Sequence, residues 1–312
     1  MTDDKAAGSA TLSISRRLVL RRGLASAFVL LLITLLFAAP VSAVDIWDGN
    51  IASSFGGGTG ADTDPYLIST GAQLAYLAQE VNNGTNYLGN YFKLMDDIDL
   101  NGTNHQWIPI GSIPSDQKPF RGTFDGNNKN ISNMNISSNS NMGVCGLFGL
   151  LTKSSVVKNL NVAGCINMDS SRTGAVTIGG VAGRLLNGGT VENCSSDVDI
   201  NVKHQGSSNQ GPNVGGIVGY IQNGGTVVNC YATGDVSGTV KDKSGYARVG
   251  GIVGCAHQYS AINISNCYAA GNVSASGSTS GKNYVGGIVG YGDNMLNVSN
   301  CCLLYTSPSP RD

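Results

Sequence analysis

The sequence predicts an all-β protein: a right-handed parallel β-helix, or solenoid, with a small N-terminal cap that contains one helix. Three observations predict it. A Gly-Gly motif returns every 35 or 36 residues, at Gly179, Gly215, Gly250 and Gly286. Equivalent positions in successive copies keep their chemical character, column by column. Glycine accounts for 44 of 312 residues, about 14% against a usual ~7%, and charged residues for 12% against a usual ~25%. Such a chain suits many short strands joined by tight turns. Its 41% apolar residues are enough to bury a core, and a formal net charge of −1 gives no electrostatic reason to expect nucleic acid as a partner.

Residues 1–43 read as a signal peptide. Arg16, Arg17, Arg21 and Arg22 form a basic flank, Leu24 to Ala38 an apolar run, and Val41-Ser42-Ala43 a cleavage site. The run is short for a span, which needs about 20 apolar residues, and the small residues at 38–43 favour cleavage over an uncleaved anchor. Ser15-Arg16-Arg17-Leu18-Val19-Leu20 is similar to a twin-arginine signal, whereas the strongly apolar Phe28-Val29-Leu30-Leu31-Leu32 favours the general export route. On either route the mature chain starts near Val44 and lies outside the cytoplasm.

Residues 44–118 form the predicted cap. Thr70-x-x-Gln73 is a capping box opening a helix at about 71–82, with Leu74, Leu77, Ala78 and Val81 at helical spacing and Asn82-Asn83-Gly84 ending it. The helix is expected to plug the open end of the coil.

Residues 119–301 form the predicted β-helix. The motif reads Gly179-Gly180-Val181-Ala182-Gly183, Gly215-Gly216-Ile217-Val218-Gly219, Gly250-Gly251-Ile252-Val253-Gly254 and Gly286-Gly287-Ile288-Val289-Gly290, with Gly146-Leu147-Phe148-Gly149 as a degenerate earlier copy. Turn signals such as Asn187-Gly188-Gly189 and Asn223-Gly224-Gly225 follow. One unit cannot bury its own apolar face, so units must stack. Val157, Val191, Val227, Ile264 and Val298 make an inward column, as do Ile166, Ile200, Val236 and Val273; Lys158, Glu192, Val228, Ser265 and Ser299 point outward. Asn159, Asn193, Asn229, Asn266 and Asn300 predict an internal asparagine ladder at a coil corner, because Asn tolerates left-handed backbone.

Eight cysteines in an exported chain would ordinarily suggest disulfides. Here Cys194, Cys230, Cys267 and Cys301 share a column whose first position is Leu160, so the slot asks for a mid-sized apolar side chain. Rungs stack about 4.8 Å apart, but side-by-side Cβ vectors disfavour a bridge, and buried thiols are expected. No Cys-x-x-Cys pair exists, and His105, His204 and His257 lie far apart in sequence, against zinc.

On these residues the chain resembles proteins carrying the GLUG repeat motif. Gly215-Gly216-Ile217-Val218-Gly219-Tyr220 and Asn229-Cys230-Tyr231-Ala232-Thr233-Gly234 carry the resemblance. Phe120 to Asn127 with Ile131-Ser132-Asn133 is similar to the coil that often precedes such repeats, and Asp64 to Thr70 with Asp97 to Leu100 to the N-terminal cap segment of the same surface proteins. The resemblance spans roughly 46–301. It implies bacterial or archaeal surface proteins, some of them adhesins, and a region that also accompanies immunoglobulin A-cleaving metallopeptidases. The motif specifies architecture far more than function. After Cys301 the repeat pattern breaks, and 302–312 is similar to a translated sequencing adapter; the expectation is an assembly artefact on a chain that continues.

No catalytic, cofactor-binding or metal-ligating residue is assigned. The chain has no His-Glu-x-x-His helix, no Gly-x-Ser-x-Gly elbow in fitting context, and no Lys-Ser/Thr ending after Gly56-Gly57-Gly58-Thr59-Gly60. A β-helix lyase would need clustered carboxylates with Lys or Arg along one groove, and the repeats offer only Asp197, Asp199, Asp235 and Arg248. Asp96, Asp97 and Asp99 could serve calcium but read better as a solvated strand face, Asp97 and Asp99 on one side and Ile98 and Leu100 on the other. Tyr220 and Tyr291 share one column, Tyr231 and Tyr268 another; such rows can stack on sugars, though packing between rungs is the simpler reading. Sequons such as Asn193-Cys194-Ser195, Asn263-Ile264-Ser265 and Asn272-Val273-Ser274 follow from composition and carry little weight in a prokaryote.

The expected function is therefore a non-enzymatic secreted or cell-surface protein of a prokaryote, an adhesin or spacer contacting host or neighbouring-cell protein or glycan. The alternative is the non-catalytic N-terminal part of a larger secreted peptidase or polysaccharide-degrading enzyme. Variable loops at about 203–213, 238–247 and 275–284 are the expected specificity elements, since insertions map to one side of a solenoid.

Overall fold

The computed structural model describes residues 44–111, 118–138, 142–206, 210–241, 245–257, 259–277 and 282–304. Residues 1–43, where a signal peptide is expected, the tail at 305–312 and the tips of the three variable loops lie outside the described residues.

Every pairing between named strands is parallel, in one sixteen-stranded and two five-stranded sheets. The chain is a parallel β-solenoid of about six turns with one short helix. Each rung runs along sheet 3 (Val144–Cys145, Thr177–Gly179, Asn213–Gly215, Arg248–Gly250, Tyr284–Gly286). It turns into sheet 2 (Phe148–Thr152, Ala182–Leu186, Val218–Gln222, Val253–His257, Val289–Gly292). It then enters the long sheet 1 and returns through a variable loop.

The inward column continues beyond the repeats: Tyr66, Phe92, Phe124, Val157, Val191, Val227, Ile264 and Val298 pair rung to rung. Parallel pairing therefore begins inside the segment expected to be cap. Aromatic rings fill that end, with Phe92, Phe120, Phe124, Phe148 and Trp107 fully buried, while Val, Ile and Cys line the repeats. Cys302–Leu303 pair with Tyr268–Ala269 in the same register as the preceding rung.

The glycines set the narrow cross-section. A Cβ at Gly216 would strike the Gly251 carbonyl and the Ala232 Cβ, so the second glycine of the pair lets sheet 1 approach the corner. A Cβ at Gly219 would strike the Ile178 backbone, so the last glycine lets sheet 2 lie against sheet 3. Ser196, Ala232 and Ala269, all small and buried, complete the contact from sheet 1.

The helix α1 spans Gly71–Asn83 and buries Leu74, Leu77, Ala78 and Val81 as its spacing predicts. Thr70 caps it by accepting from the Gln73 N–H at 3.2 Å. The reciprocal bond differs by one residue from a standard capping box: Gln73 Oε1 accepts from the Ser69 N–H, at 2.7 Å. Gly84, at φ 115°, closes the helix. Its buried face joins the same apolar cluster that fills the coil.

The asparagine corner faces outward, not inward as expected. Asn159, Asn193, Asn229, Asn266 and Asn300 all have φ between 52° and 55°, and each amide donates to the rung before, Asn159 to Asp125 and the others to the preceding Asn, at 3.0–3.2 Å. The ladder exists but runs along the outside, with Asn193, Asn229, Asn266 and Asn300 exposed. A left-handed residue at a corner turns its own side chain outward and the next one inward, and that next residue is the cysteine.

Candidate functional site

The cysteine column is structural. All eight cysteines are free. Cys194, Cys230 and Cys267 are buried, and each of the four column thiols donates to the carbonyl two residues back: Glu192, Val228, Ser265 and Ser299, at 3.1–3.2 Å. The corner leaves that carbonyl facing the thiol, and Leu160 fills the equivalent slot by apolar contact alone.

The histidines stay apart. His204 is fully buried with Nε2 3.1 Å from the Gly174 carbonyl, His105 packs on Trp47, and His257 pairs with Asp293 at 3.4 Å. Asp97 and Asp99 take the outward positions that alternation predicts, while Ile98 and Leu100 are buried. Asp97 accepts from the Asn130 N–H, and Asp99 from Asn133 Nδ2 and the Asn101 N–H.

Two faces carry chemistry. The first is the outer side of sheet 1 beyond the asparagine corner. Asp197 accepts from the Thr233 hydroxyl at 2.8 Å, Asp199 from the Asp235 N–H at 2.9 Å, and Asp235 from Asn272 at 2.8 and 3.0 Å. Each carboxylate thus bonds the next rung. Tyr231 and Tyr268 lie parallel with centroids 4.9 Å apart, the rung-to-rung packing expected of that column. Asn130, Asn161, Ser195, Asp197, Tyr231 and Thr233 border a shallow depression beside the Tyr231 ring.

The second face is the groove between sheets 2 and 3. From sheet 3 the paired positions Thr177, Asn213, Arg248 and Tyr284 contribute; from sheet 2, Leu150, Arg184, Tyr220, Cys255 and Tyr291. Side chains of the two rows touch. The Arg248 guanidinium stands 4.7 Å from the Tyr291 ring centre and 4.4 Å from that of Tyr246, and donates to Asn213 Oδ1 at 3.3 Å. Tyr284 meets Tyr291 edge to face at 5.1 Å. Arg184 lies over Tyr220 at 5.3 Å and donates to Gln222 Oε1. These are cation–π seats, worth more as they are desolvated.

At one end the groove deepens into a cavity of about 420 Å³, within the usual range for small-ligand sites. Lys118, Arg172 and Arg184 line it together with the amides of Gln210, Asn213 and Gln222, Thr177 and Tyr220, and no Asp or Glu is among the described lining residues. Burial lowers the Arg184 pKa and raises that of Tyr220. Cys255, on the row between Tyr220 and Tyr291, has its thiol pushed up to about 12 by burial. The three variable loops lead into sheet 3, so their described ends border this groove, at Gln210, Tyr246 and Tyr284.

The shared column of Tyr220 and Tyr291 is legible in the sequence, as is Arg248 as a scarce charge. The convergence of Lys118 and Arg172 on Arg184 is not. Arg184 stands 36 residues before Tyr220, so the repeat places it; the other two lie in irregular segments.

Three segments of the chain, 174–201, 210–237 and 245–274, match the GLUG motif. The chain carries GLUG repeats, and the copies at Gly146 and Gly286 extend the same ladders outside the matched segments. It is 32% identical over 136 residues, 44% of its length, to halomucin of Haloquadratum walsbyi, and 31% identical over 154 residues, 47% of its length, to a protein of Evansella cellulosilytica named as a Gly-rich membrane protein. It spans only 1% and 16% of those two relatives. Among solved structures, a protein of Bacteroides ovatus named as an immunoglobulin A1 protease superposes with a TM-score of 0.52 at 23% identity, covering 83% of this chain and 82% of that one. That likeness shows the fold.

Proposed function

We propose that the chain is a non-enzymatic secreted or cell-surface repeat protein of a prokaryote, an adhesin or interaction module that uses its lateral groove to hold glycan or protein. The observation that carries the reading is the groove itself: guanidinium groups seated on tyrosine rings, placed by rigid rungs and bordered by the variable loops. Rigid elements position a binding constellation better than loops do, and Tyr and Arg are the residues that dominate binding hot spots. The relatives support a surface role, since one carries the name of a mucin and the other is named as a membrane protein.

The test is a glycan array and cell-binding assay with the whole chain, with surface location read by protease shaving of intact cells. Retained binding without turnover supports the reading; depolymerisation of a bound polysaccharide overturns it. A second reading, the non-catalytic N-terminal region of a larger secreted enzyme, draws on the fold shared with the Bacteroides ovatus protein. A His-Glu-x-x-His domain encoded downstream would favour it.

A further inference from the structure

We infer that the cavity lined by Lys118, Arg172 and Arg184 is a binding site for the carboxylate of an acidic sugar. The inference deepens the surface-binding reading above and rests on it. Electrostatics comes first. The whole chain is nearly neutral, at −1, yet three cationic side chains converge here, and no carboxylate is among the described lining residues. Among the described residues the ion pairs are Lys158 with Asp125 and His257 with Asp293, and neither pair includes Arg184 or Lys118. Like charges gathered in a partly buried cavity cost stability unless an anion joins them.

Arg184 is held as a receptor would hold it. Tyr220 supports its plane, Gln222 accepts one amino group, and its buried Nε has no hydrogen-bond partner. A guanidinium presents a fork that matches a carboxylate in two parallel bonds. The remaining lining suits a sugar rather than a bare ion. Gln210, Asn213, Gln222 and Thr177 can donate to and accept from hydroxyls, and the Tyr220 ring offers an apolar edge. The groove also continues along the axis. Asn213 lines the cavity and binds Arg248, one rung further along sheet 3, where Tyr246 and Tyr291 flank the second guanidinium. A chain of acidic sugars lying along the axis would meet a cation at both places.

The experiment is calorimetric titration of the whole chain with an oligogalacturonate, a neutral oligogalactose of equal length and a sulfated galactose oligomer, at low and moderate salt. We expect the carboxylated oligomer to bind at least ten-fold tighter than the neutral one, with the preference shrinking as salt rises. Arg184→Gln should abolish that preference, and Lys118→Gln, which alters no packed strand, should reduce it several-fold even if Arg184→Gln folds poorly. Tyr231→Ala, on the other face, should leave it unchanged. Equal binding of acidic and neutral oligomers, or a preference that survives both charge variants, overturns the site while leaving glycan binding by the surface intact. Preference for the sulfated oligomer overturns the carboxylate assignment. Failure of all three oligomers while the chain still binds cells overturns the site and leaves a protein partner for the surface.

Discussion

The two lateral faces hold charge in opposite ways. On the outer side of sheet 1, Asp197, Asp199 and Asp235 are exposed, and each accepts a hydrogen bond from the next rung. In the groove, Arg184 and Arg248 are partly buried on tyrosine rings, and each keeps a buried Nε without a partner. Repetition explains the difference. Where one residue type recurs, or donors and acceptors alternate, each rung satisfies its neighbour, as in the asparagine ladder. Where a column changes character, as in Arg184, Tyr220, Cys255 and Tyr291, the lattice leaves polar groups over. A solenoid thus leaves unsatisfied polar groups where it breaks its own pattern.

The largest test of this contrast is Gly219→Val. It drives a side chain into the Ile178 backbone and should separate the sheets that make the groove, costing about 3 kcal/mol or more in a denaturant titration. Asp197→Ala on the other face should change stability by no more than about 0.5 kcal/mol. Similar losses for the two would show that the groove is no more tightly built than the exposed face. Next, Asn229→Ala removes a ladder rung and leaves Ala in left-handed backbone, φ 55°, for about 1–2 kcal/mol. Asn229→Gly should recover the backbone share; if it is as unstable as Ala, the ladder bond alone carries the cost.

Thiol labelling separates the faces by rate. With its pKa up at about 12, the Cys255 thiol is protonated at pH 8, with on the order of one part in 10,000 as reactive thiolate. Cys145, likewise raised to about 12 by burial, behaves alike. Mass spectrometry after brief alkylation should find the half-buried Cys165 of the outer face modified early, and Cys255 and Cys145 only much later. Reactivity that climbs about tenfold per pH unit and has not levelled off by about pH 11 is the expected profile for Cys255; early modification would mean the groove floor is open. The smallest effect is Tyr231→Ala, which removes the ring stack with Tyr268 for about 0.5–1 kcal/mol in thermal unfolding.

Much of the frame is readable from periodicity. The columns of Val157 and Ile166, the helix from Gly71, and the free Cys slot beside Leu160 are all where the spacing of residues puts them. The same reasoning puts the asparagine ladder on the wrong side of the wall, because strand alternation does not carry through a corner at which a left-handed residue resets it.

By itself, then, the sequence determined the repeat length, the stacked register and the apolar lining, since these depend on local backbone preference and on residues one repeat apart. Tertiary structure alone decided that sheets 2 and 3 close into a groove. It also decided that Lys118 and Arg172, from segments outside any repeat column, meet Arg184 there. That meeting depends on how irregular segments return to the coil, and no period in the chain encodes it.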